Sequence, residues 1–239
     1  MAHIISNFAY LLTDKLEFWK KYFPACAESI CNRLSSLYGI HKDPETFRVC
    51  CFYDDTCMKS TGRSVASDVI QGIDSHGAGH FHGYVFQTLE LLNGMCADMY
   101  GPLSYRHTDL DLLAKSNLNN RLRNLQANDA IQYAAYGDGI FPLQSHCIGK
   151  HVGNLTAEEI VENQAMTVIK TAGRREYGVT GQLFPYVKQL YRSKMLKDPL
   201  STKYYFVATL MRNIQVCLYG CESDTHSTIQ PPTLEEYFS

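Results

Sequence analysis

The residues best suited to chemistry in this chain are aspartates that close short apolar runs. Asp54 follows Val49-Cys50-Cys51-Phe52-Tyr53 and precedes Asp55-Thr56. Asp138 follows Tyr133-Ala134-Ala135-Tyr136-Gly137, with Phe141-Pro142 just beyond. Such runs read as buried strands, so both carboxylates are expected at strand ends. Carboxylates delivered by neighbouring strands can converge on one hard cation, because Mg²⁺ takes oxygen ligands in a tight octahedron. Two metals so held clamp the attacking and leaving oxygens of a phosphodiester displacement. The plainer reading is that a strand-end Asp accepts backbone hydrogen bonds in a turn. Asp109 heads a helical run and fits a helix cap as well as a ligand.

Other groupings are weaker. His76, His80 and His82 suggest a metal cluster, but they sit in a Gly-rich stretch and no Cys or acidic residue completes a tetrahedral set. A solvated loop accounts for them better. Arg174-Arg175 could meet phosphate, although a basic pair on a helix is usually solvated surface.

The elements that must position these residues follow from periodicity. Asp14 to Leu37 reads as helix, with Leu16, Trp19, Phe23, Cys26, Ile30 and Leu34 near the 3.6 period and Pro24 dividing it into two shorter helices. Phe47 to Tyr53 is a strand, and Lys59 to Gly79 a long polar loop. His82 to Leu92 and Met95 to Tyr100 flank Asn93-Gly94, the signature of a type I′ hairpin. Asp109 to Gln126 is helical, and Ile131 to Tyr136 is a fourth strand. Thr156 with Glu159 forms a capping box for a helix whose apolar side is Ile160, Met166, Ile169 and Ala172. Tyr204 to Leu218 is apolar almost all round, as in a buried helix, and Gly220 stops it. Strands mixed with helices indicate an α/β or α+β domain.

Composition bounds the function. With 239 residues, the chain is long enough for a substantial core. No run of eighteen apolar residues occurs, so no membrane span is expected, and the N-terminus lacks the basic region and cleavage site of a secretory signal. The nine cysteines include no CxxC pair, which disfavours a zinc ribbon and favours a reducing compartment, nuclear or cytoplasmic. The 22 basic and 24 acidic residues leave a formal charge of −2, so no basic surplus supports independent binding to DNA.

Taken in order, several segments form a recognisable series: Phe52-Tyr53-Asp54-Asp55-Thr56, His82 to Gln87, Tyr100-Gly101-Pro102 with Arg106 to Asp109, Leu112 to Leu118, and Tyr136-Gly137-Asp138 with Pro142. Tyr204-Tyr205, Cys217 to Gly220 and the tail Pro231 to Tyr237 complete it. This series resembles the DDE-type endonuclease domain of PIF/Harbinger-like transposases, particularly fungal forms, over roughly residues 16 to 239. The resemblance implies an RNase H-like α/β fold, a mixed central sheet flanked by helices, at residues 46–239, after a helical N-terminal segment at 1–45. It further implies a transposon-derived DNA endonuclease dependent on Mg²⁺ or Mn²⁺. Asp54 and Asp138 would be metal ligands, Asp109 would match a further acidic position, and a separate protein would recognise the DNA. Aligned without gaps, the family's third acid, a Glu, falls on Arg174, and Glu176 lies two residues later. Two residues are about 200° of helix, so Glu176 is expected to face away unless a local bulge returns it. Arg has donors and no acceptor, so it cannot ligate the metal. Cleavage is therefore expected to be weak or absent. Asp55, where the family has Gly, adds either a ligand or a misshapen turn. The alternative is an inactive, decayed or domesticated remnant that acts, if at all, as a binding protein.

Overall fold

The computed structural model describes residues 22–38, 47–60, 82–104, 107–124, 132–137, 146–185, 187, 201–221 and 230–238. Within these ranges, the side chains of 54–60, 109 and 172–178 fall outside the description, as do a few others.

Helix α1 runs from Phe23 to Tyr38. Pro24 lies in its first turn, where a missing N–H leaves no hydrogen bond unmade. Residues 14–21, which the expected preceding helix would occupy, lie outside the described residues. Phe23, Cys26, Ala27, Ile30, Cys31 and Leu34 are buried at helical spacing and join the same core as the central strand.

Five strands form one mixed open sheet in the order β3-β2-β1-β4-β5. They are β1 Phe47–Ser60, β2 His82–Glu90, β3 Cys96–Ser104, β4 Gln132–Tyr136 and β5 Cys147–Ile148. β1 pairs antiparallel with β2, and β2 with β3, whereas β1–β4 and β4–β5 are parallel. Val49 to Tyr53 are all buried, so successive residues pointing to opposite faces are covered on both. The two apolar runs are thus adjacent, parallel and central. β5 has only two residues, too few for any periodicity to announce it.

The hairpin differs from expectation. The Leu91 N–H donates to Met95 O (2.9 Å) and the Gly94 N–H to Leu91 O (3.1 Å), which encloses a three-residue loop. Gly94 has φ 77°, but Asn93 does not share a positive φ. A type I′ turn needs positive φ at both central residues, so the loop closes instead on a single left-handed glycine. The Asn93 side chain is used elsewhere: Nδ2 donates to the Tyr22 hydroxyl (2.8 Å) and Oδ1 accepts from the Met95 N–H (3.3 Å).

The helix expected from Asp109 is two, α2 Asp109–Ser116 and α3 Leu118–Asn124, broken by Asn117 at φ 57°. Its cap is Thr108, which forms a capping box with Asp111. Helix α4, Ala157–Leu183, begins at the anticipated capping box of Thr156 and Glu159. Met166 and Ile169 are buried, but Ile160 is 43% exposed and does not belong to the apolar side. Helix α5, Ser201–Tyr219, is not buried all round, since Met211 and Leu218 are exposed. Gly220, at φ 73°, does end it, with its N–H donating to Val216 O (2.8 Å). No described helix is long and apolar enough to cross a membrane.

Candidate carboxylate site

Asp54 is not at a strand end. β1 continues to Ser60, and position 54 pairs with Thr88 of β2. The polar residues after Tyr53 hid this continuation, which backbone pairing to β2 carries through Ser60. The pairing to β4, however, stops at Phe52 opposite Tyr136. Position 54 is thus the second residue beyond the last β1–β4 pair. Asp138, likewise two residues beyond Tyr136, lies outside the described residues.

Alternation along β1 and β2 places position 54 on the face that carries Thr88, and with it Phe86 and Glu90. α5 lies on this face. The rings of Tyr205 and Phe206 stand 5.1 and 5.8 Å from that of Phe86. α4 reaches the same face, since Thr180 lines a small polar cleft with Glu90, Cys96, Thr209, Arg212 and Asn213. The cleft has room for about one water molecule, too little for a substrate.

The cleft also explains how the elements are joined. Fully buried Asn213 accepts the Cys96 N–H (2.9 Å) and donates to Cys96 O and the Tyr237 hydroxyl (2.8 Å each). It closes part of the free edge of β3 and docks the short helix α6, Leu234–Phe238. Arg212-Asn213 was the available signal, a polar pair inside an apolar helix. The Cys96 thiol is held well above its ordinary pKa by burial and by the nearby Glu90 and Asp98 carboxylates. It is a poor nucleophile.

α4 is helical without interruption through Arg174 and Glu176, so no π-bulge separates them. Their side chains lie outside the description, but the helical phase of their backbone positions follows from the buried residues around them. Glu176 is one turn before Thr180 and seven residues after Ile169, about 40° and 20° from two positions that face the interior. Arg174 is about 120° and 140° from the same two, although only about 40° from buried Lys170. The position of Glu176 is thus aligned with Thr180, which shares the cleft with Glu90, and that of Arg174 with Lys170.

Asp109 is the first residue of α2, following the Thr108 cap, and its side chain lies outside the description. His82 begins β2 opposite Ser60; His76 and His80 lie outside the described residues. Among the described residues no group of three or more His, Cys, Asp or Glu side chains is placed to hold a metal. Eight cysteines are described, all as free thiols.

Set against protein-family models, curated proteins and solved structures, the chain finds no match.

Proposed function

We propose that this chain is an RNase H-like, divalent-metal-dependent DNA endonuclease of the DDE type, derived from a transposase, with Asp54, Asp138 and Glu176 as its acids. The observation that carries this reading is the register of the central parallel pair. In sequence, Asp54 and Asp138 each lie two residues beyond its last pair, Phe52 opposite Tyr136. The strand order, with β1 flanked by antiparallel β2 and parallel β4, accords with the proposed fold. The phase of α4 favours Glu176 as the third acid.

The donor set fits a hard cation. Paired carboxylates from neighbouring strands suit Mg²⁺ or Mn²⁺, which are commonly held by one or two carboxylates plus water and substrate oxygens. Such an ion would lower the pKa of a bound water and neutralise charge on the phosphodiester. Asp54 and Asp138 would hold it, and Glu176 would complete the acidic set. Asp109 is a weaker ligand candidate, because it begins a helix on a different element. DNA would be delivered by a separate DNA-binding partner, consistent with the formal charge of −2.

A second reading follows from Arg174 itself. If that residue occupies the place of the third acid, its charge would oppose the metal, and the chain would be an inactive binding remnant. Purified protein with supercoiled DNA and Mn²⁺ separates the two. Metal-dependent nicking is expected, reduced by at least about 100-fold in Asp54→Ala and Glu176→Gln, with Arg174→Glu giving no gain. Cutting seen only in Arg174→Glu would establish the remnant reading instead. No cutting by any variant would remove the nuclease assignment.

A further inference from the structure

Polar side chains from three elements converge on the small cleft beside the β2–β3 hairpin. Glu90 ends β2, Thr180 lies near the end of α4, and Thr209 and Arg212 come from α5. None of the four is more than 6% exposed. Burying a carboxylate and a guanidinium is costly unless hydrogen bonds replace the water they leave behind. Asn213, the neighbouring amide, has no donor to spare, since its two Nδ2 hydrogens go to Cys96 O and to the Tyr237 hydroxyl. The Thr209 hydroxyl hydrogen is likewise taken, by Tyr205 O at 3.0 Å, which leaves its oxygen as an acceptor. The Glu90 carboxylate already accepts from the Cys96 thiol and keeps further lone pairs.

Size and charge together select an occupant. The cleft has room for about one water molecule. A cation of that size would be opposed by Arg212, and an anion by Glu90. Water is neutral, donates to a carboxylate and accepts from a guanidinium, and a buried water typically makes about three such bonds. The lining offers this set: Glu90 and Thr209 accept, Arg212 donates, and a threonine hydroxyl such as that of Thr180 does either.

We propose that the cleft is a hydration site, in which one ordered water bridges Glu90 and Arg212 to the hydroxyls of Thr180 and Thr209 and so joins α4 to β2 and α5. The site uses none of Asp54, Asp138 and Glu176, so it stands or falls apart from the metal reading. Magnetic relaxation dispersion of water on the full chain counts long-lived bound waters and tests it. Thr180→Val keeps the shape of the side chain and removes its hydroxyl. One fewer long-lived water is expected, with an unfolding constant in urea roughly 5- to 100-fold larger, as for a buried polar group left unpaired. Thr180→Ser keeps the hydroxyl and should keep the water. The proposal is overturned if Thr180→Val retains the wild-type dispersion amplitude, if it is as stable as the wild type, or if Thr180→Ser loses the water. Should Thr180→Val not fold, Thr209→Val, which removes a lining hydroxyl from α5 instead, decides by the same count.

Discussion

Gly101 shows how tightly single residues constrain the approach to this sheet. It has φ 140°, and a Cβ there would come within 2.9 Å of both Val85 O and Phe86 Cδ1. The strand can pass β2 this closely only without a side chain. Gly101→Ala should lower stability by about 1–3 kcal/mol, the scale of a residue forced into a sparsely populated conformation. That corresponds to a fall in Tm of roughly 2–4 °C per kcal/mol for a chain of this size, read from a thermal melt. An unchanged Tm would mean that β3 can take another path. At the same scale, the buried Asp98 carboxylate receives both Arg121 amino groups at 2.6 and 2.5 Å, which ties α3 to β3. The aspartates at 54 and 138 stood out in the sequence because they interrupt apolar runs. Asp98 did not, because nothing in its neighbourhood announces a partner 23 residues away.

Between elements, the most consequential contact is the side-chain amide of Asn213, which takes the place of a neighbouring strand at Cys96. Asn213→Leu keeps the size but strands the Cys96 N–H and C=O. The expected cost is about 1–3 kcal/mol for each buried group left unpaired. Thermal or urea unfolding would measure it, and near-wild-type stability would show that water or another group substitutes. Helix caps supply a pH signature. Asp111, Glu159 and Glu236 each accept the backbone N–H of a capping threonine (Thr108, Thr156 and Thr233), at 2.9, 2.7 and 2.8 Å. That backbone bond is the main cause holding all three carboxyls below their ordinary pKa. A depressed folded-state pKa contributes stability above the unfolded values of about 3.9 for Asp and 4.3 for Glu, and loses it as pH falls through the folded values. Melts between pH 6 and pH 2 should therefore show a decline confined to the acid end. Glu159→Gln should flatten part of it, and an equal slope in the variant would contradict this account. The capping boxes at Thr156 and Thr233 lie within four-residue windows of sequence, which is why the first was readable in advance.

For the whole molecule, the sheet order makes β1 the element on which the others depend. It pairs with β4 from Phe47 to Phe52 and with β2 from Phe52 to Ser60, and Val49 to Tyr53 are buried, so the amides of that buried stretch exchange only when the domain opens. Hydrogen exchange should find the slowest amides at Val49 to Tyr53 and Tyr133 to Tyr136, with protection near the global unfolding free energy. Faster exchange there than in α4 would place the stable core elsewhere.

Local chemistry determined much of this protein by itself. Apolar runs marked two central strands, Ser/Thr-x-x-Glu marked a helix start, and Gly220 marked a helix end, because each signal is complete within a few neighbouring residues. Tertiary structure decided where β1 ends, since pairing to β2 carries it past the polar residues to Ser60. It also decided that Asn117 breaks a helix, that one face of α5 meets solvent, and that a two-residue strand completes the sheet. The phase of α4 and the one-residue slip of β1 against β4 between Val49 and Cys51 belong to the same class. Each depends on which residues of one element oppose which of another, and a one-residue difference in that alignment leaves no trace in composition or period.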